Sequence, residues 1–478
     1  MGLPLPEIAV SDVLELYSAA GDATGADRLL SRYLTAAPTD TQRHLHIQAH
    51  LKASPLEELP TSALDTLHSY EARAQAAPMQ TYTSVVTSLF SRSSSIARAQ
   101  AWDLFSHMRY VAHPNPDALL YTLMIRACAS PISSALSSEP EKALDFWTEM
   151  TVDHRITPTV GAYNAVILAC ARSGTEMYVN EAFRLARQML DSHRDAEGKS
   201  AYRPDRKTFC ALLEGAKRIG DLGRARWILA EMVRRRKAKD INAPVDAGVD
   251  EEVVMHLFQT YAAYRPPFQR AKARLVQEDT NEGVEGKGAA EKGMEEKPAE
   301  NVFREITTEN QDEASSFAHI PPQSHAEVLQ EVKFLFQRIC EERGSANEPN
   351  ADHLKFKNVQ LTPRLVNSYL AVFYKHASLS TSRDFFWKIY EELRVLRSTR
   401  AYVEALERCG NAQRGDERIV ALKFAEELWE SWKAIEASGK HDGRPLSARM
   451  IERAHVAMIR VLVLYVFILL FLRKSYGF

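Results

Sequence analysis

Apolar side chains recur every three or four positions along most of the chain, in blocks broken by short segments bearing Pro or Gly. That period predicts amphipathic helices. Four blocks share one signature, an Ala and a Met seven residues apart: Ala101 and Met108, Ala143 and Met150, Ala182 and Met189, Ala225 and Met232. Seven residues is two helical turns, so each pair lies on one face. Small Ala permits close helix approach, and flexible Met fills the gaps left beside it.

A second helix precedes each of these and begins with an aromatic: Tyr82, Tyr121, Tyr163 and Phe209, spaced by 39, 42 and 46 residues. The segment "AYNAVILACARSG" at 162–174 is one such helix, despite an apolar run that could pass for a buried strand. A proline step ends at Asp117, Thr159 and Asp205, just before the last three aromatics. Proline closes one helix and suits the turn into the next. The predicted unit is helix, turn, helix and Pro-marked turn, repeated at least four times. A two-helix unit cannot bury its apolar face alone and must stack on its neighbours.

The flanking pattern is weaker. Residues 11–36 predict a helix pair with Ser11 as its cap, and 40–76 supply two further helices. Residues 249–262 read as the first helix of a fifth unit. Helical pattern resumes at 325–340, runs through "RLVNSYLAVFYKHA", "RDFFWKIYEEL", "RAYVEALERCG" and "ALKFAEELWESW", and ends in a helix starting near Ser447. The domain plan is therefore degenerate repeats over 1–77, a clear array over 78–265, an insert over 266–322, degenerate repeats over 323–455 and a hydrophobic tail over 456–478.

Composition sharpens this plan in places. The chain has 478 residues, more than one compact core needs, with 45% apolar and 26% charged residues and a net charge of −2. Residues 275–316 hold twelve acids against four bases, the signature of a disordered linker. Residues 181–239 hold sixteen Lys/Arg against eight acids, ending in "RRRK" at Arg234, Arg235, Arg236 and Lys237. Such a stretch suits phosphate backbones, although a solvated helix end is the plainer account. The acidic insert is expected to compete with nucleic acid for it. Five cysteines without a C-x-x-C pair favour packed thiols in a reducing compartment. Cys128, Cys170 and Cys409 each follow a repeat tyrosine by seven, which makes them helix-packing residues.

The unit resembles the pentatricopeptide repeat: aromatic-Asn-x-x-Ile in "YNAVI", Arg172 and Gly174 nine and eleven after Tyr163, Arg218 and Gly220 likewise after Phe209, the Ala/Met pair, and Pro-Asp. The resemblance is clear over 78–250 and in outline over 325–455. It implies an all-α fold, a right-handed α-solenoid of helix-turn-helix repeats that binds single-stranded RNA, mostly in organelles. In that family the residue after the aromatic and the last residue of the unit read one base. Carried over, these are Thr83 with Asp117, Thr122 with Thr159, Asn164 with Asp205, and Cys210 with Asp250. Thr/Asp implies guanine and Asn/Asp uracil; Thr/Thr and Cys/Asp are not standard pairs, and the units here are longer than usual. The plainer account is that Thr and Asn fill the first helical turn. An organellar, mitochondrial role in RNA processing, stability or translation is the implied function, with a monomer expected and protein partners allowed. A tetratricopeptide-like protein scaffold is the rival, but the first helices lack Trp-x-x-Leu-Gly.

Catalytic signals are weak. His46 and His50 stand one turn apart without an H-E-x-x-H glutamate or an evident third ligand, so a structural or surface role is expected and no metal. "EGKSA" lacks the glycine a phosphate loop needs, since position 193 is His. No H-x-E with C-x-x-C is present. A non-catalytic protein without cofactor is expected. The N-terminus shows neither a secretory nor a transit pattern, and Pro6 breaks the myristoylation pattern. At the other end, residues 461–472 are all apolar or aromatic, which allows either a membrane anchor over 456–478 or a repeat helix over 447–462.

Overall fold

The computed structural model describes residues 7–34, 36–132, 137–192, 194, 200, 202–237, 248–267, 321–344, 355–412, 415–441 and 443–476. The expected insert falls almost wholly outside them, and so does its expected disorder. The chain divides into two compact units, Met1–Asp221 with Ile228–His256, and Leu222–Trp227 with Leu257–Phe478.

The first unit stacks helical hairpins. Its helices are α1 (Glu7–Ala20), α2 (Ala23–Tyr33), α3 (Asp40–Ala53), α4 (Thr61–Ala72), α5 (Met79–Ser91), α6 (Ser95–Val111), α7 (Ala118–Cys128), α8 (Pro140–Thr148), α9 (Val160–Arg172), α10 (Glu176–Asp191), α11 (Arg206–Ile219) and the greater part of α12 (Leu222–Lys237). Helices α1, α3, α5, α7 and α9 each pack on the helix that follows, as in α5 on α6 and α9 on α10. Each also packs on the next odd-numbered one, so α1, α3, α5, α7, α9 and α11 form one continuous row. That arrangement is an α-solenoid, in which each repeat buries the face its own hairpin cannot cover.

The predicted phase is correct in detail. All four Ala/Met pairs are buried, none more than 1% exposed. Tyr82, Tyr121, Tyr163 and Phe209 are buried too. Such tyrosines must place their hydroxyls: Tyr82 donates to Glu71 at 2.5 Å and Tyr121 to Glu149 at 2.9 Å. Cys128, Cys170 and Cys409 are fully buried among helices, and burial pushes each thiol up to about 12. Thiols so far from ionising are packing groups, not nucleophiles. Gly174 and Gly220 take φ of +75° and +72°, the left-handed conformation that ends a helix without a Cβ clash. One expectation fails. Ser11 lies inside α1, which starts at Glu7, and its hydroxyl accepts from Gln42 of α3 at 3.2 Å instead of capping.

The second unit takes the C-terminal half of α13 (Glu251–Ala263), then α14 (His325–Gly344), α15 (Pro363–His376), α16 (Leu379–Leu393), α17 (Thr399–Cys409), α18 (Gly415–Ser438) and α19 (Ala448–Tyr476). A small antiparallel pair, β1 (Lys440–His441) with β2 (Arg444–Pro445), precedes α19. Helices α13 and α14 form one hairpin: Tyr261 donates to Glu331 at 2.8 Å, and the Phe258 and Phe336 rings lie 6.2 Å apart. The acidic stretch is therefore inserted between the two helices of one repeat. Stacking continues as α15 packs on α14, α16 and α17, and α17 on α18 and α19. Phe336 and Tyr369 stack at 4.0 Å.

Helix α19 is anchored at its start by side-chain contacts. Ala454, Ala457, Met458 and Val461 are buried, Arg453 pairs with Glu407 of α17 at 2.9 Å, and His455 with Glu436 of α18 at 3.1 Å. The first turns of α19 thus pack on α17 and α18, with Val456 and Ile459 exposed on the other side. Among the described residues no helix is long and apolar enough to cross a membrane; the side chains of 465–478 lie outside them.

Candidate nucleic-acid interface

The row of first helices generates the site by local rules. Each needs an N-cap, because its first backbone N–H groups have no partner inside the helix. Asp117 caps α7 by accepting from Leu120 N at 2.7 Å, Thr159 caps α9 through Ala162 N at 3.1 Å, and Asp205 caps α11 through Thr208 N at 2.8 Å. Asp250 caps α13 through Val253 N at 3.1 Å. Every residue placed last in a unit is thus the cap of the next first helix. Its partner, five residues after the previous cap, lies on the adjoining turn of the neighbouring helix.

Asn164 and Asp205 meet, although 41 residues separate them: the amide Nδ2 donates to Asp205 Oδ1 at 3.0 Å. Thr208 completes the group. Its hydroxyl lies 2.6 Å from Asn164 Oδ1 and 3.0 Å from Asp205 Oδ1, and it accepts from the Asp205 backbone N–H at 3.1 Å. Asn164 is half-buried. These contacts use one amide N–H and one carbonyl lone pair, leaving a donor and an acceptor on the same side chain. Among the described residues, the bonds to the Asp205 carboxylate fall on Oδ1.

Thr83 and Asp117 line one open cleft of about 500 Å³ with Gln80, Ser84, Thr87, Ser88 and Leu119. That size falls among small-ligand pockets. The Thr83 hydroxyl donates back to Met79 O at 3.2 Å. Its proton is committed, so threonine and aspartate together present acceptors. Thr122 likewise donates to Ala118 O at 2.6 Å. It adjoins Thr159: a Cβ placed on Gly161 would lie 3.5 Å from Thr159 Oγ1 and 3.8 Å from Thr122 Cγ2.

The fourth pair is closed. Cys210 is buried, its thiol pushed up to about 12 by desolvation, and Arg206 donates to Asp250 Oδ2 at 2.7 Å while also holding Glu252. Both Asp250 oxygens are engaged, one by the helix cap and one by Arg206. The side chains of Arg234, Arg235, Arg236 and Lys237 lie outside the described residues. Upstream in the same basic stretch, Arg184 pairs with Glu181, Arg187 and Arg194 with Asp191, and Lys217 and Arg218 with Glu214. Three of the eight acids counted there thus hold five of the sixteen cations, which leaves the basic excess of the stretch unchanged.

The second unit contains a pair that the aromatic-first search misses. Asn367 stands five residues after Thr362, the cap of α15, and its Nδ2 donates to Ser398, the cap of α17, at 2.8 Å. Val366 precedes it where the other units carry an aromatic. Cap-plus-five spacing would have found it; the tyrosine did not.

The fold and these pairs define an all-α protein of stacked helical hairpins with a row of paired polar side chains. No known sequence family matches the chain, and no curated protein matches it. Among solved structures it is similar to pentatricopeptide repeat protein PPR10 in complex with an 18-nt psaJ RNA element, and to a cysteine-substituted form of that complex. Each shares 12% identity at a TM-score of 0.31, over 95% of this chain and 56% of that one. The chain thus spans little more than half the length of the proteins it matches.

Proposed function

We propose that the chain is a non-catalytic single-stranded RNA-binding protein of the pentatricopeptide type, acting in mitochondrial RNA processing, stability or translation. The observation that carries it is the donor and acceptor that half-buried Asn164 keeps beyond its bonds to Asp205 and Thr208. Unstacked bases are read on their edges by short polar side chains, and this row offers such side chains at successive repeats. Asn164 keeps one donor and one acceptor, which complement the O4 and N3–H of uracil. Exposed Asp117 presents acceptors at the mouth of the cleft, with Thr83 7% exposed beneath it, and acceptors there complement the N1–H and N2 amino group of guanine. The organellar and mitochondrial part rests on the sequence resemblance alone.

Crosslinking the full chain to a random pool of single-stranded RNA tests the reading. Recovered RNA enriched at positions that change with Asn164→Ala and Thr83→Ala supports it. Absence of crosslinked RNA beside a stable protein partner overturns it in favour of a scaffold.

A further inference from the structure

We propose that Asp27, His46 and His50 form a binding site for a divalent transition cation of the zinc class, clamping the first two hairpins of the first unit. The sequence placed His46 and His50 one turn apart on α3 without a third ligand; the fold supplies it from α2. His46 Nε2 lies 2.7 Å from Asp27 Oδ1, His50 Nε2 lies 3.1 Å from the same atom, and the two Nε2 atoms are 3.3 Å apart. In a tetrahedral zinc site with bonds of ~2.0–2.1 Å, neighbouring ligand atoms stand about 3.3 Å apart. The triangle matches that spacing to within a few tenths of an ångström on two edges, and its third edge ends on Asp27. That side chain is 53% exposed and can move outward.

The outer contacts fit the same assignment. His46 Nδ1 is 2.8 Å from the Tyr70 hydroxyl, and His50 Nδ1 is 2.5 Å from the Ser62 hydroxyl, both on α4. Both imidazoles are thus turned so that their Nε2 atoms converge, which is how outer hydrogen bonds orient metal-bound histidines. Two imidazoles with one carboxylate suit zinc-like cations over Mg²⁺ or Ca²⁺, which take oxygen ligands. The exposed side of Asp27 leaves the fourth position to water. A second cluster, His68 and His107 on Glu71, has similar atoms, but both its histidines are over 40% exposed and the Tyr82 hydroxyl holds the carboxylate's other oxygen.

The test uses the full chain, stripped with a chelator and dialysed. Zn²⁺ affinity is measured by competition with a chromophoric chelator, geometry from the visible bands of the Co²⁺ form, and stability from the melting midpoint. One tight equivalent, tetrahedral Co²⁺ bands and a raised midpoint are expected. Asp27→Asn should weaken binding at least about 100-fold and Tyr70→Phe about 10-fold, while H68Q/H107Q leaves it unchanged. H46Q/H50Q should abolish it; should that variant lose helicity, Asp27→Asn carries the test, its side chain being half exposed. Unchanged affinity in Asp27→Asn, loss in H68Q/H107Q instead, or neither a Co²⁺ band nor a midpoint shift in the unaltered chain would overturn the assignment.

Discussion

Asn164 in the first unit and Asn367 in the second obey one local rule with opposite surroundings. Each stands five residues after a helix cap, and each sends its amide N–H to the next cap, Asp205 at 3.0 Å or Ser398 at 2.8 Å. Asn164 is half-buried, and its carbonyl takes the Thr208 hydroxyl. Asn367 is 5% exposed, and its carbonyl takes the hydroxyl of buried Tyr390. The contact across neighbouring helices is therefore a product of capping and stacking, not evidence of a ligand by itself. What separates a reading position from a structural one is the hydrogen-bonding capacity left facing outward.

The largest effect should come from the sealed side. Asn367→Ala leaves the buried Tyr390 hydroxyl without its acceptor, while Ser398 keeps its capping bond from Ala401 N, at a cost of about 3 kcal/mol. Denaturant unfolding measures it. RNA affinity per folded molecule should not change, and a loss of affinity would mean that the second unit reads bases too.

Acid should act next, on the helices carrying the closed pair of Cys210 and Asp250. His256 of α13 faces Glu214 of α11 at 3.5 Å. Burial, with the charge of Lys217, lowers its pKa from 6.5 to about 4, against the opposing pull of Glu214 and Glu252. The unfolded chain thus takes up a proton below about pH 6.5, while the folded chain does not until about 4. Stability should fall as pH falls, by about 2 kcal/mol between pH 7 and 5. His256→Gln should flatten that slope, and an unaltered slope would assign it elsewhere.

How much of this was legible depends on whether a feature is local. The Ala/Met phase, the tyrosine starts and the caps at Asp117, Thr159 and Asp205 follow from helical period and capping, so spacing alone placed them. Asp27 could not be found that way. It lies 19 residues from His46 on another helix, and only hairpin packing joins them. Thr208 reads locally as a capping-box residue, yet it also ties Asn164 to Asp205. The insert's place inside the α13–α14 hairpin depends on a contact 70 residues apart in sequence, Tyr261 with Glu331, which no local pattern encodes. Ser11 misled because a good cap residue also tolerates a helix interior when a neighbouring helix offers it a hydrogen bond.

Asp205 separates capping from reading at a smaller energy. Asp205→Ala should cost about 1 kcal/mol as a lost cap. Asp205→Asn keeps a good cap and should stay within about 0.5 kcal/mol of the unaltered chain. If the carboxylate takes part in reading, both substitutions weaken RNA binding equally although only one destabilises. Affinity that tracks stability across the pair would reduce Asp205 to its cap.

Asn164→Thr makes the finest distinction, because it turns the third pair into the residue types of the first. Threonine at this place would donate its proton to the carbonyl of Val160, as Thr83 does to Met79 and Thr122 to Ala118. The outward amide donor would vanish and acceptors alone would remain. Stability should change by less than about 1 kcal/mol, since the cap and Thr208 stay in place. The base preferred at one RNA position should shift from uracil towards guanine, with the other positions unmoved, as read by selection from a randomised pool. A uniform loss of affinity across all sequences would show that Asn164 supports the helix row without reading a base, which is the role Asn367 already fills in the second unit.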